Sequence, residues 1–471
     1  MQNPPIPSIQ HRRRRGAVSI IAMVFVVLFS VLAVGAYSSI TNSIQTSYNQ
    51  RDVNAARAAA ESGMEFIRYQ LYQLNIPHNT PPAAMFGTVY VKLGLALNGT
   101  LNMNGDTVGI DGTGTIISIP SQGAAKAIAA DGTGSKFFLT ITQSSQQLIV
   151  KVTGIGRNST SVQRAVQMNY AVAQKASSIF NYGVASNGTI SMNGNTSIVG
   201  ATDPTKGSVL SATTTSGTPV SMTGSTVISG DVSMVNPSGH LATTGSPSVD
   251  GYTPASPNFA SHVHIGVTPP DFPQIDTTAF VPFATNTYAG GKTLVNTVIP
   301  PNTNPSFSGN TTIQGVLYIK TPNNVSFSGN LTVQGVIIVE NNPKGGTAGN
   351  SLSFSGNVSA TSISTLPANA TFPAAERALS NVFLLAPSYA VSFSGNFGTI
   401  GGSMIADKFT FSGNAGGTVT GSVVGLADLP MTLSGNSDIA IQSTGTTAYP
   451  PGVFFGSSYA PLSDTWQEVH P

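Results

Sequence analysis

The chain has 471 residues, a net charge of +2, no cysteine and one tryptophan, and only 8% of its residues are charged, against about 25% in an average soluble protein. This excludes a disulfide framework, thiolate chemistry and a fold built from charged amphipathic helices. Fifty glycines with abundant Ser, Thr and Asn suit short β-strands joined by tight turns, while the Val, Ile and Phe content is too high for disorder. Charge is also unevenly spread. Residues 1–100 carry eight basic and three acidic side chains; residues 176–471 carry six and twelve, a net of −6. The large C-terminal part therefore has no basic patch and is not expected to bind nucleic acid.

The first element follows a polar leader, residues 1–16, that ends in Arg12-Arg13-Arg14-Arg15-Gly16. Next come 21 uncharged residues, 17–37 (AVSIIAMVFVVLFSVLAVGAY). As a helix they span about 31 Å, the thickness of a bilayer core. The arginines place the N-terminus in the cytoplasm and the remainder outside it. A cleaved secretory signal is the competing reading, with Val34-Gly35-Ala36 as its small-residue site. The apolar stretch is longer than the usual run of about 7–15 residues, however. Helical periodicity also continues past it, through Ile40, Ile44 and Tyr48, and then through Met64, Ile67, Leu71 and Leu74 before Pro77.

Basic leader, glycine, hydrophobic helix and amphipathic extension together resemble type IV pilin-like proteins. The stretch AARAAAESGME at 55–65 resembles the AAEAGLE segment of the PilX-type N-terminal family. The resemblance covers roughly residues 10–75. It implies cleavage by a prepilin peptidase between Gly16 and Ala17, and partners among other pilin-like subunits and the inner-membrane assembly machinery. Most pilins have Glu at the fifth mature position; this chain has Ile21. That departure speaks against a major subunit and for a minor, tip-located or non-filament role.

Residues 79–130 hold turn signals and short apolar runs without a clear element. Three strands are expected at 137–143, 147–153 and 162–172, forming a small antiparallel sheet against the long helix. From about Phe180 the chain becomes repetitive. The unit is an apolar residue, a small polar residue, Gly, then Asn or Ser. It appears around Met192 and Met222, at Phe307-Ser308-Gly309-Asn310, Phe327-Ser328-Gly329-Asn330, Phe354-Ser355-Gly356-Asn357, Phe393-Ser394-Gly395-Asn396 and Phe411-Ser412-Gly413-Asn414, and finally at Leu433. Spacings from Phe307 are 20, 27, 39, 18 and 22 residues. The 39-residue gap reads as two units, and the 27-residue gap as one unit with a Gly-rich insertion at 341–350.

A unit near 20 residues fits one coil of a right-handed parallel β-helix or solenoid. Phe points inward and stacks on the Phe of the next coil, Gly supplies a positive-φ corner, and Asn forms an amide ladder. A β-sandwich explains the turns but not the recurrence. The segment around Ile179 to Gly188 resembles the start of β-helical domains found behind PilX-type N-termini. Residues 236–305, rich in Pro, Thr and Asn, read as an extended insertion along the solenoid side. The tail from Tyr449 reads as a cap over the last coil.

Chemistry-bearing residues are sparse. His262-Val263-His264 puts two imidazoles on one strand face, half of a metal site; with only Asp271 and Asp276 nearby, a surface pair is expected and no metal ligand is assigned. His11, His78, His240 and His470 are scattered. Among Glu340, Glu376, Asp407, Asp428 and Asp438, no pair has glycosidase spacing: Glu340 and Asp407 share a phase but fall about three coils apart. No catalytic residue or cofactor site is expected.

The fold class is thus mainly β: leader 1–16, helix 17–76, small β domain 77–175, solenoid 176–448 with its insertion at 236–305, and tail 449–471. The expected function is that of a non-enzymatic, single-pass envelope protein of the bacterial inner membrane, extractable into a surface filament, in which a minor pilin-like component displays the solenoid for adhesion, partner contact or a surface polysaccharide. An unprocessed membrane-anchored adhesin and a carbohydrate-active enzyme are the alternatives.

Overall fold

A computed structural model describes residues 15–132, 134–157, 160–175, 177–342, 346–443 and 449–471. The leader up to Arg14 lies outside them. The chain divides into two compact units: one holds the chain up to Ile76, Thr80–Ala173 and Ser458–Pro471, the other Pro77–Asn79 and Gln174–Ser457.

In the first unit, helix α1 runs from Arg15 to Gln73 without a break, about 88 Å at 1.5 Å per residue. Its first half is bare and its second half packs on a sheet. Ala56, Ala59, Ala60, Met64, Ile67 and Leu71 are buried, the three-and-four spacing of one helical face. The sheet is antiparallel, with Lys136–Ser144, Gln147–Ile155 and Gln163–Gln174 as adjacent strands. A second helix, α2 (Pro82–Leu97), fills the stretch where the sequence indicated no element. Pro82 suits its first turn, and Phe86, Val89, Leu93 and Leu97 are its buried face.

From Ser457 on, the C-terminal tail departs from the expected cap. Gln467–Val469 pairs antiparallel with 165–167 of the strand Gln163–Gln174, and Ser457–Pro461 joins the same strand. Tyr459 is buried in this unit's core. The tail brings unpaired strand backbone and one large apolar side chain, Tyr459, and the open edge and core of the small sheet take both.

The second unit is built from parallel ladders in which segments about 20 residues apart pair residue for residue. Thr311–Ile319 lies beside Leu331–Val339 in unbroken register. We call each such segment a tier. The 27- and 39-residue gaps are single tiers: Phe327 pairs with Phe354, and Phe354 pairs directly with Phe393. The extra residues of the longer gap loop out through Ile363–Thr365 and Ala374–Arg377, so it does not contain two units.

The order of tiers differs from the order of the chain. One column reads Thr297, Leu317, Ile337, Leu384, Met404, Val423, Val184, Val209, Val232, Val263. The chain therefore enters in the middle, at Val184. It climbs to Val263, returns to the far end near Asn286, and climbs back until Val423 meets Val184. Residues 266–285 make the return. Twenty residues extend to about 66 Å at 3.3 Å each, and ten tier spacings of about 4.8 Å need about 48 Å. The Pro-rich insertion is thus shorter than 236–305; Leu241–Gly245, Val263–Ile265 and Thr293–Ile299 all belong to tiers.

This return also explains runs such as Val336-Ile337-Ile338-Val339. Ile337 and Val339 face an inner core with Val184, Leu384 and the phenylalanines. Val336 and Ile338 face a second core with Ile275 and Phe280 of the return segment, Phe372 of the loop, and Val453 and Phe455 of the tail. A strand covered on both faces reads as a continuous apolar run.

Candidate functional site

The first candidate is α1 itself. From Val18 to Tyr37 its large apolar side chains are exposed, Phe29 at 67% and Leu32 at 66%. The helix is long and apolar enough to cross a membrane. Ser30 donates to the Val26 carbonyl at 2.7 Å and Thr41 to that of Tyr37 at 2.8 Å, so these hydroxyls bond within the helix. Gly16 and Ala17 lie in the first turn. Ile21 is exposed among its apolar neighbours, and Ile40, Ile44 and Tyr48 continue the outward face.

Residues 55–65 form a close seam with the sheet. A side chain on Gly154 would start 1.9 Å from the Ala56 carbonyl oxygen, and one on Gly63 would start 2.5 Å from the Phe137 ring. Small residues on both partners let helix and strand backbones nearly touch. Outside the seam Arg57 pairs with Glu61 at 3.0 Å and Glu468 at 3.1 Å.

The repeat residues line up in the second unit. Phe307, Phe327, Phe354, Phe393 and Phe411 stack in sequence, with ring centroids 4.8, 5.5, 4.6 and 5.5 Å apart and planes within 14°. Leu433, Met192 and Met222 continue the column. The glycines work in two ways. Gly413 has positive φ, as do Gly194, Gly224 and Gly435. Gly329, Gly356 and Gly395 do not need that conformation; a Cβ on each would fall 2.0–2.4 Å from the carbonyl oxygen of the preceding repeat glycine. Gly309 meets only the Lys292 side chain. The corner expected of every repeat glycine is therefore a close approach in these tiers. Among the asparagines, the Asn330 amide donates to Asn310 at 3.3 Å and that of Asn436 to Asn414 at 3.4 Å. Asn357 and Asn396 accept through their backbone carbonyls from Leu331 and Val358.

The carboxylates are dispersed. Glu340 accepts from the Thr321 amide at 3.0 Å, and Asp438 accepts from Ser197 at 2.7 Å. Ile338 aligns with Leu385 and then Ile405, which puts Glu340 and Asp407 two tiers apart rather than three. Burial holds the Asp407 carboxyl above its usual range, against a hydrogen bond from the Ser388 amide. Glu376, in the loop between Phe354 and Phe393, is fully buried. Burial raises its carboxyl too, although Asn296 donates to Oε2 at 3.2 Å.

The two histidines have acid partners that lie far away in sequence. His262 Nδ1 is 2.8 Å from Asp231 Oδ1 and 3.4 Å from Asp250, and His264 Nε2 is 3.1 Å from Asp231 Oδ2. Burial pushes the Asp231 carboxyl up, and the hydrogen bonds to His262 and His264 more than reverse this. Asp271, expected nearby, pairs with Lys175 at 3.4 Å. The usable signal was tier register: Asp231-Val232-Ser233 precedes His262-Val263-His264 by one tier. Among the described residues, no group of three or more His, Asp or Glu side chains is arranged to hold a metal ion.

No protein-family model matches the chain, and no curated protein sequence is similar to it. Among solved structures, the competence-associated pilin ComZ of Thermus thermophilus is similar at 11% identity, over 89% of this chain and 97% of that chain, with a TM-score of 0.23.

Proposed function

We propose that the protein is a pilin-like envelope protein, anchored by α1, that displays its stacked tiers as a β-solenoid for contact with a surface ligand or partner. One observation carries this reading: α1 is a single helix whose first half is exposed and apolar and whose second half is sewn to a small antiparallel sheet by the residues of the PilX-like segment. A helix of that kind suits a membrane before assembly and a bundle of similar helices after it. Arg12 to Arg15 keep the leader cytoplasmic. A prepilin peptidase then cuts between Gly16 and Ala17, and other pilin-like subunits and the inner-membrane machinery are the partners. Ile21 leaves the helix without the carboxylate that pairs with a neighbour's terminal amine, which favours a minor position.

Mass spectrometry of the protein purified from membranes tests this. A mature N-terminus at Ala17 is expected. An intact Met1 overturns processing and leaves a membrane-anchored adhesin. We further propose that the protein is not an enzyme, because the in-phase carboxylates Glu340 and Asp407 lie about 10 Å apart by tier spacing, beyond the roughly 5–9.5 Å of glycosidase pairs. A polysaccharide turnover screen should give the same background for the native chain and for Glu340→Ala with Asp407→Ala; a turnover lost in the double variant would reverse the conclusion.

A further inference from the structure

The second unit contains a cavity of about 630 Å³ between the return segment, the strand ends near Tyr318 and Glu340, and Phe454 of the tail. That volume lies within the usual range for small-ligand clefts, about 300–1,000 Å³. Three features of its wall define what it can hold.

The first is a pair of carboxylates held in the same way. Asp276 Oδ1 accepts from the Thr278 amide at 2.9 Å and from its hydroxyl at 2.6 Å. Glu340 Oε2 accepts from the Thr321 amide at 3.0 Å and from its hydroxyl at 3.3 Å. In each, one oxygen is anchored and the other is left to accept from a ligand. Among the described residues that line the cavity there is no Lys or Arg, and His78 is the one basic side chain. The second feature is a donor without an acceptor. Tyr318 and Thr277, 4% and 2% exposed, share one hydroxyl contact at 3.3 Å. Only one of the two protons can serve that contact, so a buried O–H is left over, and filling it is favourable. The third is a flat wall: His78 stacks on Phe454 at 3.7 Å with planes 6° apart.

We propose that this cavity binds an amino sugar with a free amine. The ammonium and a hydroxyl donate to the two free carboxylate oxygens. A ring or hydroxyl oxygen accepts the spare proton of the Tyr318–Thr277 pair. The C–H face of the sugar lies on the aromatic wall. A neutral sugar meets the last two conditions but leaves two carboxylates uncompensated. This names a ligand for the displayed unit and so deepens the reading above; N-terminal processing, measured on the same preparation, shows whether that reading fails separately.

The test is calorimetric titration of the full chain in detergent with chitosan oligomers, N-acetylated chitin oligomers and the neutral glucan cellobiose. Chitosan oligomers should bind at least tenfold more tightly than either of the others. Glu340→Gln and Asp276→Asn should each weaken that binding about tenfold or more and leave the circular dichroism spectrum unchanged. A lysine-rich peptide is the control for a simple amine site. No binding of chitosan oligomers, equal binding of the N-acetylated ones, peptide binding as tight as the sugar, or binding indifferent to both substitutions overturns the proposal.

Discussion

At the residue scale, the chain is governed by how closely tiers and elements approach. Four repeat glycines follow one another at backbone distance, and five phenylalanines fill the space beneath them. Against this apolar interior Glu376 stands out. It is fully buried, its Oε1 has no hydrogen-bond partner, and Gly315 sits where any side chain would collide with Asn296 and Glu376. A carboxyl raised on folding holds its proton more tightly in the folded state. Its contribution is complete below the unfolded-state value and is lost as pH rises through the folded one. Glu376→Gln should therefore raise the melting temperature at pH 8, with a gain that shrinks toward pH 4. Thermal unfolding at the two pH values checks this; a loss that grows with pH would mean the ionised carboxylate is the stabilising form.

At the element scale, the seam between α1 and the sheet depends on absent side chains. A methyl at Gly154 meets helix backbone, which cannot rotate away. Gly154→Ala should destabilise the first unit by about 1–3 kcal/mol or more, the scale of overpacking. Gly87→Ala, in α2 with open space at its Cβ, should be neutral or stabilising by roughly 0.5–1 kcal/mol. Chemical denaturation followed by helical signal distinguishes the two. The same scale shows what was legible. The buried face of α1 could be read from its spacing. That of α2 was present too, in Phe86, Val89, Leu93 and Leu97, but Gly87 and Gly94 and the strand-formers Val89, Tyr90 and Val91 obscured it. Packing on the core overrides those local preferences.

At the scale of the second unit, chain order and spatial order part company. Met431 to Gly435 lie beside Ile190 to Gly194 in full register, so residues more than 200 apart become nearest neighbours. The native chain has no cysteine, which makes the test direct. Ser191→Cys with Thr432→Cys should form an intrachain disulfide, because adjacent parallel strands hold such residues within the usual Cα range of about 4.4–6.8 Å. Non-reducing electrophoresis and peptide mapping would detect it. A stack that followed chain order would put the two at opposite ends and leave both thiols free.

The amino-acid sequence alone determined the elements that repeat or run long. A charge-free helix of bilayer length, an apolar face every three or four residues, and a Phe-Ser-Gly-Asn unit near 20 residues each carry their own period, and period follows from backbone geometry. Only the tertiary structure decided which tiers touch, that the 39-residue gap is one tier, that the Pro-rich segment is a return path, and that the tail completes the small sheet. Those outcomes depend on which unpaired strand edge and which uncovered apolar face are available, and neither is a property of any local stretch. The Asp231 partners of His262 and His264, and the paired carboxylates Asp276 and Glu340, belong to the same class: their chemistry lies in residues brought together by tier register and by the return segment.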